Sequence, residues 1–442
     1  MNITYDISSF VDIDRLCNDN EYAKKLGVVV KSRKNPKVKN IEKELRNIDN
    51  NDPDWREKVM TLKAQMTKAK EEPKIYLIKY KKDYLNVNNR ETLGLLRSVI
   101  LYNGEIMSFA PPKSLDYETY IEKTGDDVNS NSLEEYVEGT MINLFFNKLT
   151  QEWEIASRSN IGARCSFYQD KKTTFRSMFL EAMNLLGYEF SDFNQKYCYS
   201  WILQHPDNRI VVPFTRPNIV LCKVYECNGL VVNEVSSEWN YETPRPLSKV
   251  IDCTGMCPTQ IKDEFESGAY NYKIMGAVFT NPETGIRTKV RNPNYEYVRK
   301  LKGNSPKLQY QYYTLRQMGA VGDFLKYYPE HKHTFETFRK QIHAFTHNLH
   351  ANYIRCYINK EKPLREFPFE YRTHMYNLHK LYLDELRERR ESVRKHVVVN
   401  YINNIPCDHL MSSINYPLKK QNVDEIKSVV NDIIDTAVEN SV

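Results

Sequence analysis

No run among the 442 residues is apolar for the length a bilayer needs, and Met1–Asp12 lacks the basic-then-apolar order of a signal peptide. The expectation is a protein without membrane spans, at work in the cytoplasm. Cysteine is sparse: nine residues, an odd number without a Cys-x-x-Cys, which argues against a disulfide framework and for reduced thiols. Cys222, Cys227, Cys253 and Cys257 are too loosely spaced for a zinc site to outweigh buried thiols. Neither sign of charge dominates, since the net charge is +6 and the pI 8.6, a mild lean towards polyanions far from that of a histone-like tail. Internal repeats are absent too, which excludes solenoids and propellers. Glycine, with 15 residues, is outnumbered two to one by the 31 tyrosines, each with a stacking face and a hydroxyl.

What is present is length enough for two or three domains, and one stretch that organises the rest. Between Leu96 and Ala163 lie three apolar runs, Val99–Tyr102, Thr140–Phe146 and Trp153–Ala156, each bounded by Gly, Asn or charged residues, as strands joined by turns are. Along them sit Arg97, Lys113, the acid–glycine pair Glu138–Gly139 and Arg158, so cations and a close-approach glycine converge on one cleft. That is a phosphate-handling pattern. A competing reading leaves these cations as a solvated surface.

This order of Arg, strand, Lys, acid–Gly, strand, Trp, strand and Arg-Ser resembles the phage RNA ligase 1 family of covalent nucleotidyltransferases. Such enzymes carry AMP from ATP on a lysine that opens the tetrapeptide Lys-x-Asp-Gly, and pass it to an RNA 5′-phosphate. Here the matching tetrapeptide is Tyr136-Val137-Glu138-Gly139, with Tyr136 in the nucleophile's place. In the stretch Ser200–Phe214, which resembles the third motif, Gln204 stands for a Glu. In Ile274–Thr280, which resembles the fourth, Met275 replaces a Glu while Gly276 stays. The stretch Lys289 to Tyr295, with Arg291, resembles the intact fifth motif, and the match covers about residues 75–300.

A phenol with a pKa about 10 is a poor substitute for a desolvated amine as nucleophile. Losing two anions while Arg97, Lys113, Arg158, Lys289 and Arg291 remain favours binding over covalent transfer. The resemblance thus implies Tyr136, Lys113 and Glu138 at the catalytic positions. It implies Arg97, Lys113, Gly139, Arg158, Gln204, Gly276, Lys289, Arg291 and Tyr295 around a nucleotide, with ATP and Mg2+ as cofactors if activity survives. Lys113, Lys123 and Lys148 are candidates for a relocated nucleophile.

The expected fold is α+β: a helical lead-in over 1–74, a nucleotidyltransferase (ATP-grasp-like ligase) core of antiparallel sheets over 75–300, and an all-helical domain over 301–442. The basic tract Lys31–Lys39 reads as a solvated segment, a helix starts at Asp52-Pro53, and Ile75–Tyr80 reads as a strand. The polar stretch from Lys113 to Tyr136 reads as a rim, Phe175–Leu186 as an amphipathic helix, Trp201–Phe214 as a strand and Ile219–Val232 as a hairpin. Residues 233–270 read as irregular. Long helices follow over His333–Ile358, Glu370–His396 and Val423–Val438, and His343, His347 and His350 share a face without the Glu of a metalloprotease helix.

Three functions fit. The first is an RNA-ligase-like protein that holds RNA ends or a nucleotide after losing the lysine. The second is an active ATP-dependent ligase with a relocated lysine, and the third a structural or assembly protein reusing the fold. Chains with this motif order occur, by resemblance, in large DNA viruses.

Overall fold

The computed structural model describes residues 3–33, 36–48, 53–71, 74–127, 131–167, 173–237, 239–418 and 420–421. It divides into two compact units, Met1–Arg299 and Lys300–Val442. In the first unit the strands are β1 (Thr4–Asp6), β2 (Val28–Arg33), β3 (Ile75–Tyr80), β4 (Val99–Tyr102), β5 (Glu105–Phe109), β6 (Ser132–Glu135) and β7 (Thr140–Asn147). They continue with β8 (Glu152–Ser157), β9 (Asn160–Ile161), β10 (Tyr197–Gln204), β11 (Asn218–Asn228), β12 (Val231–Glu234), β13 (Gly276–Thr280) and β14 (Arg287–Arg291).

These build a seven-stranded sheet in the order β1-β12-β11-β10-β7-β8-β9, a four-stranded sheet β2-β3-β4-β5 and a three-stranded sheet β14-β13-β6. Every pairing is antiparallel, in keeping with strands whose two faces bury different sets of side chains. Thus Ile142 and Leu144 on one face of β7 meet Trp201, Leu203 and the helix Phe175–Leu185, which buries Met178, Phe179, Ala182 and Met183. Thr174 caps that helix by accepting from the Ser177 amide at 3.2 Å. Phe145, on the opposite face, joins Leu77, Val99 and Phe109 of the four-stranded sheet with Tyr225 and Val232. The three-stranded sheet has its own core, where Ala277, Phe279 and Val290 pack with Tyr120, Ile261 and Phe265 of the helices Tyr117–Thr124 and Pro258–Glu266.

The core of antiparallel sheets and the helical C-terminal region agree with the expected α+β class. Several local expectations do not hold. The lead-in over 1–74 is only partly helical, because β1 pairs with β12 and β2 pairs with β3. The apolar triplet Val28–Val30 starts β2, and Lys31 and Arg33 from the basic tract continue it. A helix does cover Trp55–Glu71, and its Leu62 and Met66 pack on Val38 and Ile41 of a preceding helix, Pro36–Arg46. The strand expected over Trp201–Phe214 stops at Gln204, where Pro206 opens a 3-10 turn. Within 233–270 the helix Pro258–Glu266 is regular, with Pro at its first position.

In the second unit the helix Lys332–Tyr353 buries Phe335, Ile342, Phe345, Leu349 and Tyr353 as the spacing demands. The long helix expected over Glu370–His396 is broken instead. It runs over Phe369–Leu381, ends in a π turn at Tyr382–Leu386, and a separate helix covers Lys395–Asn404. Between them Arg390 adopts a positive φ of 54°. The helix expected at Val423–Val438 lies outside the described residues. No helix among the described residues is long and apolar enough to cross a membrane.

Gly276 opens β13 at φ +143°, and a Cβ there would lie 2.0 Å from the Val290 carbonyl oxygen of β14. Gly276→Ala is expected to cost upward of ~3 kcal/mol. A lowered urea midpoint with an unchanged slope reads this out, and an unshifted midpoint would refute the crowding.

Candidate nucleotide and phosphate site

Tyr136 stands between β6 and β7, where its amide donates to the Gly276 carbonyl oxygen at 2.9 Å. Its ring lies under two cations of β14: Lys289 Nζ is 4.2 Å from the ring centroid and Arg291 Cζ 5.9 Å. Arg291 also bonds to the phenol oxygen, and pairs with Glu296 at 3.1 Å. On one face of β14, alternate positions carry Arg287, Lys289 and Arg291, while Thr288 and Val290 turn to the core. Period two in the strand thus gathers three cations.

The loop after β5 brings more. Arg97 Nη1 donates to the Pro111 carbonyl oxygen at 3.2 Å, and Arg287 Nη2 to that of Pro112 at 2.5 Å. Lys113 follows directly. Its pKa falls to about 8 because it is half-buried and because Arg90, Arg97, Arg291 and Arg287 repel its charge. Burial also draws Arg97 down to about 10, with Arg287 adding repulsion, and draws Lys289 well below the usual lysine range. Arg158 lies over the Tyr80 ring at 5.0 Å, with its Nε buried and without a partner. Among the described residues, no carboxylate forms an ion pair with Arg97, Lys113, Arg158 or Lys289.

Overall charge does not explain this gathering. Lys300–Val442 holds 22 Lys and Arg against 16 Asp and Glu, so the whole excess of +6 resides there and Met1–Arg299 is neutral. The cations of the cleft are a local arrangement inside a neutral unit.

The acidic positions do other work. Glu138, 4% exposed, accepts from the amides of Val211 and Val212 at 3.1 and 3.0 Å and from the Tyr295 hydroxyl, whose pKa burial and this carboxylate raise. It fastens the segment after β10 to the one before β7. Gly139, at φ +154°, has its open side filled by the Leu203 carbonyl oxygen, 2.5 Å from where a Cβ would sit, so it serves strand packing and not approach to a ligand. Gln204 Nε2 donates to the Glu138 carbonyl oxygen at 2.9 Å, a bond that an ionised Glu could not make.

Gln204, Met275, Gly276 and Tyr136 share a cavity of about 310 Å³ with Val212, Phe214, Val220, Glu242 and Lys273. A strap lies along it: the Glu242 carbonyl oxygen accepts from the Leu221 amide of β11 at 2.7 Å, and that of Arg245 from the Glu135 amide of β6 at 2.9 Å. The Arg245 side chain grips Glu135 at 2.6 Å.

The chemistry of this set suits phosphate. It does not suit a divalent ion, since Glu138 is taken by backbone amides and Glu135 by Arg245, and no cluster of three or more His, Cys, Asp or Glu among the described residues could hold a metal. His343 and His347 are exposed, while His350 bonds the Val393 carbonyl oxygen at 3.0 Å. Cys227 lies 3.8 Å from Cys198, apart from Cys253, which packs in the core of the three-stranded sheet. Lys123 and Lys148 are tied to Glu91 and Glu105, each at 2.6 Å, on exposed surface. The sequence alone did not single out Arg90, Arg287 or Lys273. Alternation along β14 could have flagged Arg287.

No family model matches the chain. Over 204 residues it is 24% identical to an RNA ligase of Rhodothermus phage RM378, a stretch that is 38% of this chain and 46% of that protein. The match thus spans less than half of the relative's length. Among solved structures it aligns with an archaeal ATP-dependent RNA ligase, form 1, at 13% identity and TM-score 0.33, over 81% of this chain and 74% of the other. It also aligns with a putative ATP-dependent DNA ligase from Aquifex aeolicus, at 15% identity and TM-score 0.34, over 74% of this chain and 80% of that one. Over the 204-residue stretch the chain is similar to a phage RNA ligase, in line with the motif order that resembles the ligase pattern.

Two outcomes are expected. An anion bound at Lys113 needs its ammonium form, so pyrophosphate affinity should weaken as pH rises through about 8, up to about tenfold by one unit above it. Calorimetry in two buffers should show proton uptake, and Lys113→Arg should flatten the profile; a flat wild-type profile would refute it. Gln204→Glu should cost about 1–3 kcal/mol at pH 8, by setting a carboxylate against the Glu138 carbonyl. A carboxyl so placed has a raised folded pKa, and the deficit should shrink on acidification as it becomes a donor. Equal thermal midpoints at pH 8 would sink this.

Proposed function

We propose that the chain binds a phosphorylated RNA end, or a nucleotide, in the cationic cleft without forming a lysyl–nucleotide bond. What carries the reading is the site of Tyr136: a phenol under Lys289 and Arg291, in a cleft where Arg97, Lys113, Arg158 and Lys289 have no carboxylate partner among the described residues. A lysine freed of its proton attacks phosphorus readily, whereas a phenol must first be ionised and placed in line. The cations neutralise phosphate oxygens directly, through Arg97, Arg158 and Lys289, and the cavity beside Tyr136 takes a base against Val212, Val220 and Met275. ATP is then a ligand held intact, and Mg2+ is not needed to hold it.

One observation favours a second reading, an active ligase with a relocated nucleophile. Lys113, half-buried with its pKa lowered to about 8, holds a share of free amine at neutral pH. Lys123 and Lys148 are instead paired with Glu91 and Glu105 on exposed surface.

Incubation with phosphate-labelled ATP, and separately GTP, with Mg2+ or Mn2+ and then denaturing electrophoresis should give no labelled protein. In parallel, a 5′-phosphorylated oligoribonucleotide should bind equally with EDTA, weaken steeply with salt, and lose at least ~10-fold in affinity in the Lys113→Ala/Arg158→Ala variant. A label that survives denaturation and vanishes in Lys113→Ala would establish the second reading. Binding insensitive to salt and to the double substitution would point to a protein interface.

A further inference from the structure

Deepening that reading, we infer that Lys31, Lys79, Arg158 and Ser159 form a second phosphate subsite, continuous with the cleft, so that the ligand is the end of an RNA strand and not a free nucleotide. The inference rests on the cleft binding phosphate. Lys31 of β2 and Lys79 of β3 share one face of the four-stranded sheet, since Lys31 pairs with Leu77 and Val29 with Lys79. Their ammonium groups converge on the turn between β8 and β9: Lys79 Nζ donates to Ser159 Oγ at 2.7 Å and Lys31 Nζ to the Ser159 carbonyl oxygen at 3.3 Å. Arg158 belongs to the same turn, its Nε buried without a partner.

Three cations here repel one another. Burial, and then Lys31 and Arg158, lower the Lys79 pKa. The nearby carboxylate, Glu154 on β8, does not relieve them, because Arg33 takes it at 3.0 Å and Arg176 at 2.7 Å. Arg158 and Arg97 repel each other too, which joins this cluster to the cleft. Like charges held together by a serine and not by an acid call for an anion from outside. A mononucleotide fills the cleft, where Lys113, Lys289 and Arg97 meet its phosphates. A further phosphodiester is what reaches Ser159. Lys31 and Lys79 lie in none of the ligase-like motifs, so the subsite adds to them.

The test compares the full chain with Lys31→Ala/Lys79→Ala, using a short 5′-phosphorylated oligoribonucleotide and ATP as separate probes over a salt titration. Two lost contacts at about 0.7 each should lower the slope of log affinity against log salt by ~1.4, with the oligonucleotide about tenfold weaker or more. ATP binding should be unchanged. Lys31→Arg/Lys79→Arg, which keeps the charge, should restore the oligonucleotide, and unfolding midpoints verify that each variant folds. Equal losses for ATP and RNA would overturn the inference by assigning both lysines to the nucleotide itself. No loss for either would overturn it by leaving them a solvated surface. If the wild-type chain bound neither probe, the reading of the cleft itself would fall.

Discussion

Burying positive charge without a counter-charge is unfavourable, and the first unit does it several times over. Lys289 and Arg97 are partly withdrawn from water, with Lys113 half-buried beside them, and burial lowers the pKa of each. What makes this tolerable is neutral polarity. Carbonyl oxygens of Pro111 and Pro112 take one donor each from Arg97 and Arg287, and the Tyr136 ring presents its negative face to Lys289. The loop after β5, the opening of β13 and the alternation of β14 all place groups of this kind. An anion bound here would stabilise the fold as well as the complex, because it would offset the repulsion among these cations.

The departures from the ligase pattern make sense in the same terms. A lysine at 136 would bring one more charge into a crowd of like charges, whereas tyrosine exchanges it for a ring that two of those charges can rest on. Gln204 gains an amide donor for the Glu138 carbonyl, and Met275 gives apolar lining to the cavity. Each of these three side chains has a place in the scaffold around the cavity.

Much of the fold could be read from the residues. Val99–Tyr102, Thr140–Phe146 and Trp153–Ala156 have strand-forming composition and firm boundaries, and the structure makes them β4, β7 and β8. The helix at Phe175 declared itself by spacing. β2 was hidden because its polar half, Lys31–Arg33, reads as surface charge unless its pairing with β3 is known. The break near Arg390 was hidden because Glu, Arg and Lys are all good helix formers individually. For the site, residue types placed Arg97, Lys113, Lys289 and Arg291 near one another, but not the direction in which Glu138 and Gly139 face. Both belong to the scaffold, since their partners, Val211, Val212 and Leu203, lie more than sixty residues away and no local pattern announces them.

The strap from Glu242 to Arg245 has a mechanical meaning. One of its carbonyls is bonded to the seven-stranded sheet and the other to the three-stranded sheet, so the cavity is framed on that side by main chain in a fixed ring. Side chains can turn aside for a bulky guest; a ring of backbone bonds can only break. On that side the cavity therefore has a wall that side-chain rotation alone does not widen.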